Sequence, residues 1–289
     1  MKKKWISALL ALLVLLSLSV PALAADDECA VIGADLSDEQ VETVYKLFGI
    51  ERGSVAELRV TNAEERALLE GFVEESVIGK YAISCVYVQL LEGGSGLSVE
   101  THNIGWCTPE MYKSALVTAG VTDAKIIVAA PFEVSGTAAL VGIYKAYESI
   151  TGNKLDETAK AAGIKELTVT GEIAEEIGDN DATDIVSGIK DLFGETAKMS
   201  DEELRREIIS IAGKYGVTLS DSQIRKLIDL CRSLEKLDPR ALKERIEEAK
   251  ETIERIEEAK EKAESFYDKL KLFFADAADF LDRLKGWFN

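Results

Sequence analysis

What this chain has least of is histidine: one residue, His102, in 289. That shortage excludes most histidine-ligated metal sites and leaves any Ser-His-Asp triad dependent on a single side chain. Basic residues are short as well, with 34 Lys and Arg against 52 Asp and Glu, a formal charge of -18 and a pI of about 4.6. A nucleic-acid surface needs a basic footprint that this balance does not supply. The four cysteines form no CxxC pair, so neither a zinc knuckle nor a thioredoxin-type motif is present. Beyond the amino terminus no apolar run approaches the roughly 20 residues that a membrane span requires. What is present is material for a core, 47% hydrophobic residues in a length that suits roughly two domains.

Residues 1–24 read as a secretory signal peptide. Lys2, Lys3 and Lys4 give a positive start, Ile6 to Val20 is apolar, and Pro21 precedes Ala22-Leu23-Ala24, a small-x-small cleavage pattern. The expected product is secreted, soluble and extracytoplasmic, with cleavage after Ala24 as the first choice and after Ala25 as the second. Losing those three lysines takes the formal charge from -18 to -21. Export permits disulfides, and all four cysteines lie after the cleavage point.

Residues 30–165 mix strands and helices. Ser37-Asp38-Glu39-Gln40 is a capping box opening a helix whose apolar face is Val41, Val44, Tyr45, Leu47 and Phe48. Val55, Leu58 and Val60 predict a strand, and Asn62 then caps a helix. Tyr81 to Leu91 is the clearest strand, and Gly93-Gly94-Ser95-Gly96 predicts a turn into a hairpin partner at Leu97 to Trp106. Thr108-Pro109 opens a helix that stops at Gly120, Asp123 to Ala130 is a strand, and another helix starts at Ser135. The order strand, helix, strand, strand, helix, strand predicts an α+β fold, the ferredoxin-like split βαβ with a four-stranded antiparallel sheet. Such a hairpin brings Cys85 and Cys107 near each other, a plausible disulfide that leaves Cys29 with Cys231.

Residues 166–237 read as short helices, two of them opened by capping boxes at Ser200 and Ser220. Residues 238–289 read as one long amphipathic helix, coiled-coil-like in its spacing. Apolar positions step by three and four through Leu242, Ile246, Ala249, Ile253 and Ile256, then resume at Ala263. The face expected to meet a partner helix is Phe266, Tyr267, Leu270, Phe273, Phe274, Phe280, Leu281, Leu284, Trp287 and Phe288. A membrane surface is the less favoured partner, because acidic residues outnumber basic ones from Ala263 to Asn289.

Several stretches together resemble the domain of unknown function 1002 family, exported proteins of mainly Gram-positive bacteria. They are Gly33-x-x-Leu36-Ser37-x-x-Gln40, Asn103-Ile104, Ala119-Gly120-Val121-x-Asp123-Ala124 and above all AAPFEVSGTAALVGIYKAYE at Ala129 to Glu148. The resemblance spans about residues 30–240 and implies an extracytoplasmic protein. It implies no reaction, and Cys85 and Cys107 are not part of the pattern.

Three places carry candidate chemistry. Ser135-Gly136-Thr137 joins the last strand to a helix. Ser135 fits an ordinary N-cap, while the helix start with the amides of Gly136 and Thr137 is the candidate ligand-binding site for an anion. Glu133 nearby opposes that ligand. His102 lacks an identified nucleophile or orienting partner, so it reads as a strand histidine. Asp179-Asn180-Asp181-x-x-Asp184 has oxygen ligands but lacks the glycine and closing glutamate of a calcium loop, so it reads as a capped helix start. No catalytic residue, metal ligand or cofactor is assigned. The expected function is non-enzymatic: an envelope binding or scaffold protein that forms a homo-oligomer or holds an envelope protein through its C-terminal helix. The alternative is a secreted hydrolase or small-ligand domain using Val134 to Thr137.

Overall fold

The strands that are buried on both faces take the interior of the sheet, and that preference decides the topology. In the computed structural model, which describes residues 27–73 and 75–287, the chain opens with β1 (Glu28–Gly33), α1 (Asp38–Phe48) and β2 (Ala56–Val60). It continues through α2 (Asn62–Leu69), α3 (Glu75–Ile78), β3 (Cys85–Leu90), β4 (Leu97–Ile104), α4 (Pro109–Ala119), β5 (Ala124–Val134) and α5 (Thr137–Thr151). The sheet has five strands in the order β2-β1-β3-β5-β4, parallel at both outer pairs and antiparallel on either side of β3. The fold is therefore α+β, but not the four-stranded antiparallel ferredoxin-like sheet.

Two readings of the sequence account for the difference. Strand β1 is only six residues long and was hidden beside the N-terminal segment. Strands β3 and β4 do turn at Gly94 and Gly96, both at positive φ, but they do not form a hairpin. In β5 every residue from Ile126 to Ala130 is buried, whereas β4 alternates polar side chains toward water. A strand apolar on both faces belongs in the interior and a half-polar one at an edge. So β5 pairs with β3, and α4 carries the chain from β4 to its parallel neighbour, as a crossover must.

Strand alternation splits the sheet between two cores. Val31, Val86, Val88, Ile126 and Val128 face the larger one; Ala30, Ile32, Cys85, Tyr87, Ile127 and Ala129 face a smaller one roofed by Val41, Val44, Tyr45 and Phe48 of α1. The capping box at Ser37 is present, and Gly49 in the left-handed region ends α1. At α2 the cap is Thr61, in a capping box with Glu64, rather than Asn62.

The same division removes the expected Cys85–Cys107 bridge. Cys85 lies in the smaller core and Cys107 in the larger, and all four cysteines, Cys29 and Cys231 among them, are free and buried. Burial pushes the Cys85 and Cys107 thiols up to about 12, which leaves them inert.

Helices α6 (Glu157–Ile177), α7 (Asp179–Asp191), α8 (Asp201–Lys214) and α9 (Asp221–Leu234) extend the larger core rather than forming one of their own. Capping boxes at Ser200 and Ser220 start α8 and α9, and each buries one stripe: Leu204, Ile208 and Ile211 on α8, Ile224, Leu227, Leu230 and Leu234 on α9. Burying each such side chain contributes about 1.5–3 kcal/mol before chain entropy is counted. Asp179 and Asp181 sit in the first turn of α7.

The last helix, α10 (Pro239–Trp287), runs 49 residues, which at about 1.5 Å per residue makes it roughly 73 Å long. Its first turns dock on the body. Leu242 and Ile246 are buried, Arg245 donates to the Thr118 carbonyl at 3.2 Å, Lys250 pairs with Asp191, and Arg255 donates to the Gly94 carbonyl at 2.8 Å. By Thr252, which is buried against Gly96, the contact with the body has moved around the helix. The apolar stripe does not follow it: Ile253 and Ile256 are 52% and 54% exposed. The side chains of the expected partner face, Phe266 to Phe288, lie outside the described residues.

Candidate ligand pocket at the start of helix α5

The residues from Val134 to Thr137 are held by three neighbours. Gly105 donates its amide to the Val134 carbonyl at 2.9 Å and Cys107 to the Ser135 carbonyl at 3.1 Å. The Tyr112 hydroxyl donates to the Gly136 carbonyl at 2.6 Å. Gly136 itself sits at φ 98°, and an added Cβ would stand 2.5 Å from the Tyr112 hydroxyl and 2.6 Å from Ile104. Both the backbone conformation and the space demand glycine here.

Ser135 does not cap the helix. The N-cap is Gly136, and Ser135 instead donates its hydroxyl to the Val77 carbonyl at 3.0 Å, tying the loop to α3. Thr137, fully buried, donates its hydroxyl to Glu65 Oε1 at 2.9 Å. Asn62 donates to the other carboxylate oxygen at 3.3 Å. Glu65 is 1% exposed. Its burial pushes the carboxyl up to about 7 against the pull of those two hydrogen bonds and of Arg66, while Asp35 adds to the rise.

Between these groups lies a cavity of about 210 Å³. Glu65, Ser84, Ser135 and Thr137 give it polar walls, Val77, Ile78, Ile83 and Val134 apolar ones, and the exposed Lys80 and Tyr81 stand at its rim. The structure thus brings Ser135, Gly136 and Thr137 to one cavity and adds Glu65, which the sequence reading had passed over. A signal was available: Glu65 lies four residues before Leu69, on the stripe that α2 turns inward, so a carboxylate occupied a core register. The capping box of its neighbour Glu64 made both acids look like ordinary first-turn residues.

Glu65 also changes what this helix start can do. The end of a helix that favours negative charge already has a carboxyl beside it, supplied by the chain itself.

The other sequence candidates lie elsewhere. His102 is on the edge strand β4, with Nε2 3.1 Å from Glu100, just before a bulge at Asn103. A second buried polar cluster joins α4, α6 and α7: Lys190 reaches Glu166 at 2.9 Å and the Ser114 carbonyl at 3.0 Å, and Ser114 and Thr118 both donate to Glu166. The cluster serves to fix three helices together. Among the described residues no group of three or more His, Cys, Asp or Glu is placed to hold a metal, and no helix is long and apolar enough to cross a membrane.

Comparison with known proteins adds a family and no chemistry. The family described as "Protein of unknown function (DUF1002)" matches residues 32–268. The "Uncharacterized protein YpuA" of Bacillus subtilis (strain 168) is 38% identical over 242 residues, covering 82% of this chain and 83% of that protein. No solved structure matches.

Proposed function

This chain belongs to the domain of unknown function 1002 family, and from that premise we propose that it is an exported, extracytoplasmic protein that works by binding, with α10 as an arm for self-association or for an envelope protein. One observation carries this reading. The arm is anchored by Leu242 and Ile246, yet its apolar stripe continues to Ile253 and Ile256, which the body leaves half exposed. An apolar stripe stepping by three and four and left half exposed is what a second helix packs against. Replacing Ile253 and Ile256 together by Asp is expected to weaken assembly at least tenfold while leaving the melting temperature of the body within a few degrees. Sedimentation velocity with an unchanged association constant would argue against the arm.

Export rests on the n-region lysines, the apolar run and the Ala22-Leu23-Ala24 cleavage pattern. Protein secreted from a Gram-positive host should begin at Ala25 when its N-terminus is sequenced. An intact Met1 on the cell-associated product would contradict export.

A second reading has its own observation, the cavity of about 210 Å³ that joins Ser135 and Thr137 to the buried Glu65. A concave site with apolar walls and a few convergent polar groups suits a small ligand.

A further inference from the structure

Among the described residues, the carboxyl of Glu65 is the one ionisable group buried in the wall of this cavity, and both of its hydrogen-bond donors are neutral. The inference rests on the second reading, that the cavity takes a small ligand. The geometry points to a ligand bearing a primary ammonium group, which Glu65 holds through a charge-assisted hydrogen bond.

Both groups that donate to Glu65, the Thr137 hydroxyl and the Asn62 amide, are neutral. A buried carboxylate is ordinarily paired with a base, because neutral donors offset only part of its lost hydration. On the neighbouring elements, each described base is committed elsewhere or exposed. On α2 itself, Arg66 is committed to Glu75 at 2.7 Å and to the Gly79 carbonyl. After β1, Asp35 adds negative charge and accepts from the Ala82 amide. From α4, the Tyr112 hydroxyl is turned to the Gly136 carbonyl. Before β3, Lys80 is exposed at the rim. Helix α5 contributes its N-terminal partial charge and the Thr137 hydroxyl, while its Lys145 is committed to Glu64 and to the Arg59 carbonyl.

An anion is the wrong guest for this cavity. The place beside α5 where one would rest is occupied by Glu65, and Asp35 stands nearby. A cation meets the opposite situation, since an ammonium donates three hydrogen bonds and the cavity wall offers Glu65, Ser84 and Ser135 as acceptors. The volume equals about seven waters, enough for an amine of a few carbons against Val77, Ile78, Ile83 and Val134. The ammonium binds the ionised carboxyl, so affinity rises with pH up to about 7 and binding below that releases a proton.

The test uses the chain from Ala25 to Asn289 and three probes of one size: n-propylammonium, n-propanol and propionate. Each is titrated at pH 8 while the amide signals of Ser84, Ser135 and Thr137 are followed by NMR. Propylammonium alone is expected to saturate those shifts, with affinity falling about tenfold between pH 8 and pH 6 and vanishing in Glu65→Gln. That variant keeps an acceptor for Thr137, and its folding is checked independently by the melting temperature. Equal response to propanol or propionate would leave a ligand pocket standing but overturn the ammonium class. Silence from all three, or undiminished binding by Glu65→Gln, would overturn the inference, and silence from all three would also remove the pocket reading on which it rests.

Discussion

Replacing Glu166 by alanine is expected to cost about 3–5 kcal/mol of folding stability, the largest loss expected from any ionic contact among the described residues. Glu166 is 1% exposed and Lys190 6% on their side chains. Neither gains much over water while paired, since desolvation consumes most of the Coulombic attraction. Removing one is a different matter. Lys190 would stay buried with only the Ser114 carbonyl and hydroxyl, and the Ser114 and Thr118 hydroxyls would lose their acceptor. The measurement is the urea midpoint at pH 7. Glu166→Leu combined with Lys190→Met should recover part of the loss, because it removes the stranded charge. Strict additivity of Glu166→Leu and Lys190→Met measured singly would show that the pair is not coupled.

Replacing Glu65 by glutamine should act in the opposite direction and stabilise the protein by about 3 kcal/mol at pH 8. The native carboxyl titrates near 7 instead of its ordinary 4.5. Below pH 4.5 both folded and unfolded chains hold the proton, and Glu65 costs nothing. Between 4.5 and 7 the unfolded chain has released it while the native chain retains it, so stability falls by about 1.4 kcal/mol per pH unit. Above 7 both are ionised and the full cost remains. Other carboxylates, such as Glu148 and Glu203, are held below their ordinary range and change with pH in the opposite sense. The difference between wild type and Glu65→Gln cancels them. That difference should be near zero at pH 4 and reach its plateau above pH 7. A constant difference across the range would mean that Glu65 is not titrating in the folded protein. A chain that keeps a destabilising acid in the wall of a cavity is consistent with that acid having a use.

Much of the local structure was legible before any coordinates. The starts of α1, α4, α8 and α9 follow from the side chains of Ser37, Thr108, Ser200 and Ser220, because capping is a contact within four residues. What sequence could not supply was pairing across distance. The β3–β4 hairpin looked obvious from its glycine turn, yet which strand sits beside β3 is decided by how much apolar surface each strand must hide, and β5 hides more than β4. The misplaced disulfide followed from that one error. The site behaved similarly. Ser135, Gly136 and Thr137 announced themselves as a strand-to-helix junction, but Glu65 lies some seventy positions earlier in the chain and joins them only through the packing of α2 on α5.

The arm is the part of the account on which function turns. Leu242, Ile246 and Thr252 anchor it, and Ile253 and Ile256 on its apolar stripe are left half exposed by the body. Multi-angle light scattering of residues 25–289 beside residues 25–256 tests this most directly, because the shorter chain keeps the contacts of Leu242, Arg245, Ile246, Lys250, Thr252 and Arg255 that fix α10 to the core. The account predicts a dimer or larger assembly for the first at tens of micromolar and a monomer for the second. One monomeric mass shared by both chains would contradict self-association through the arm.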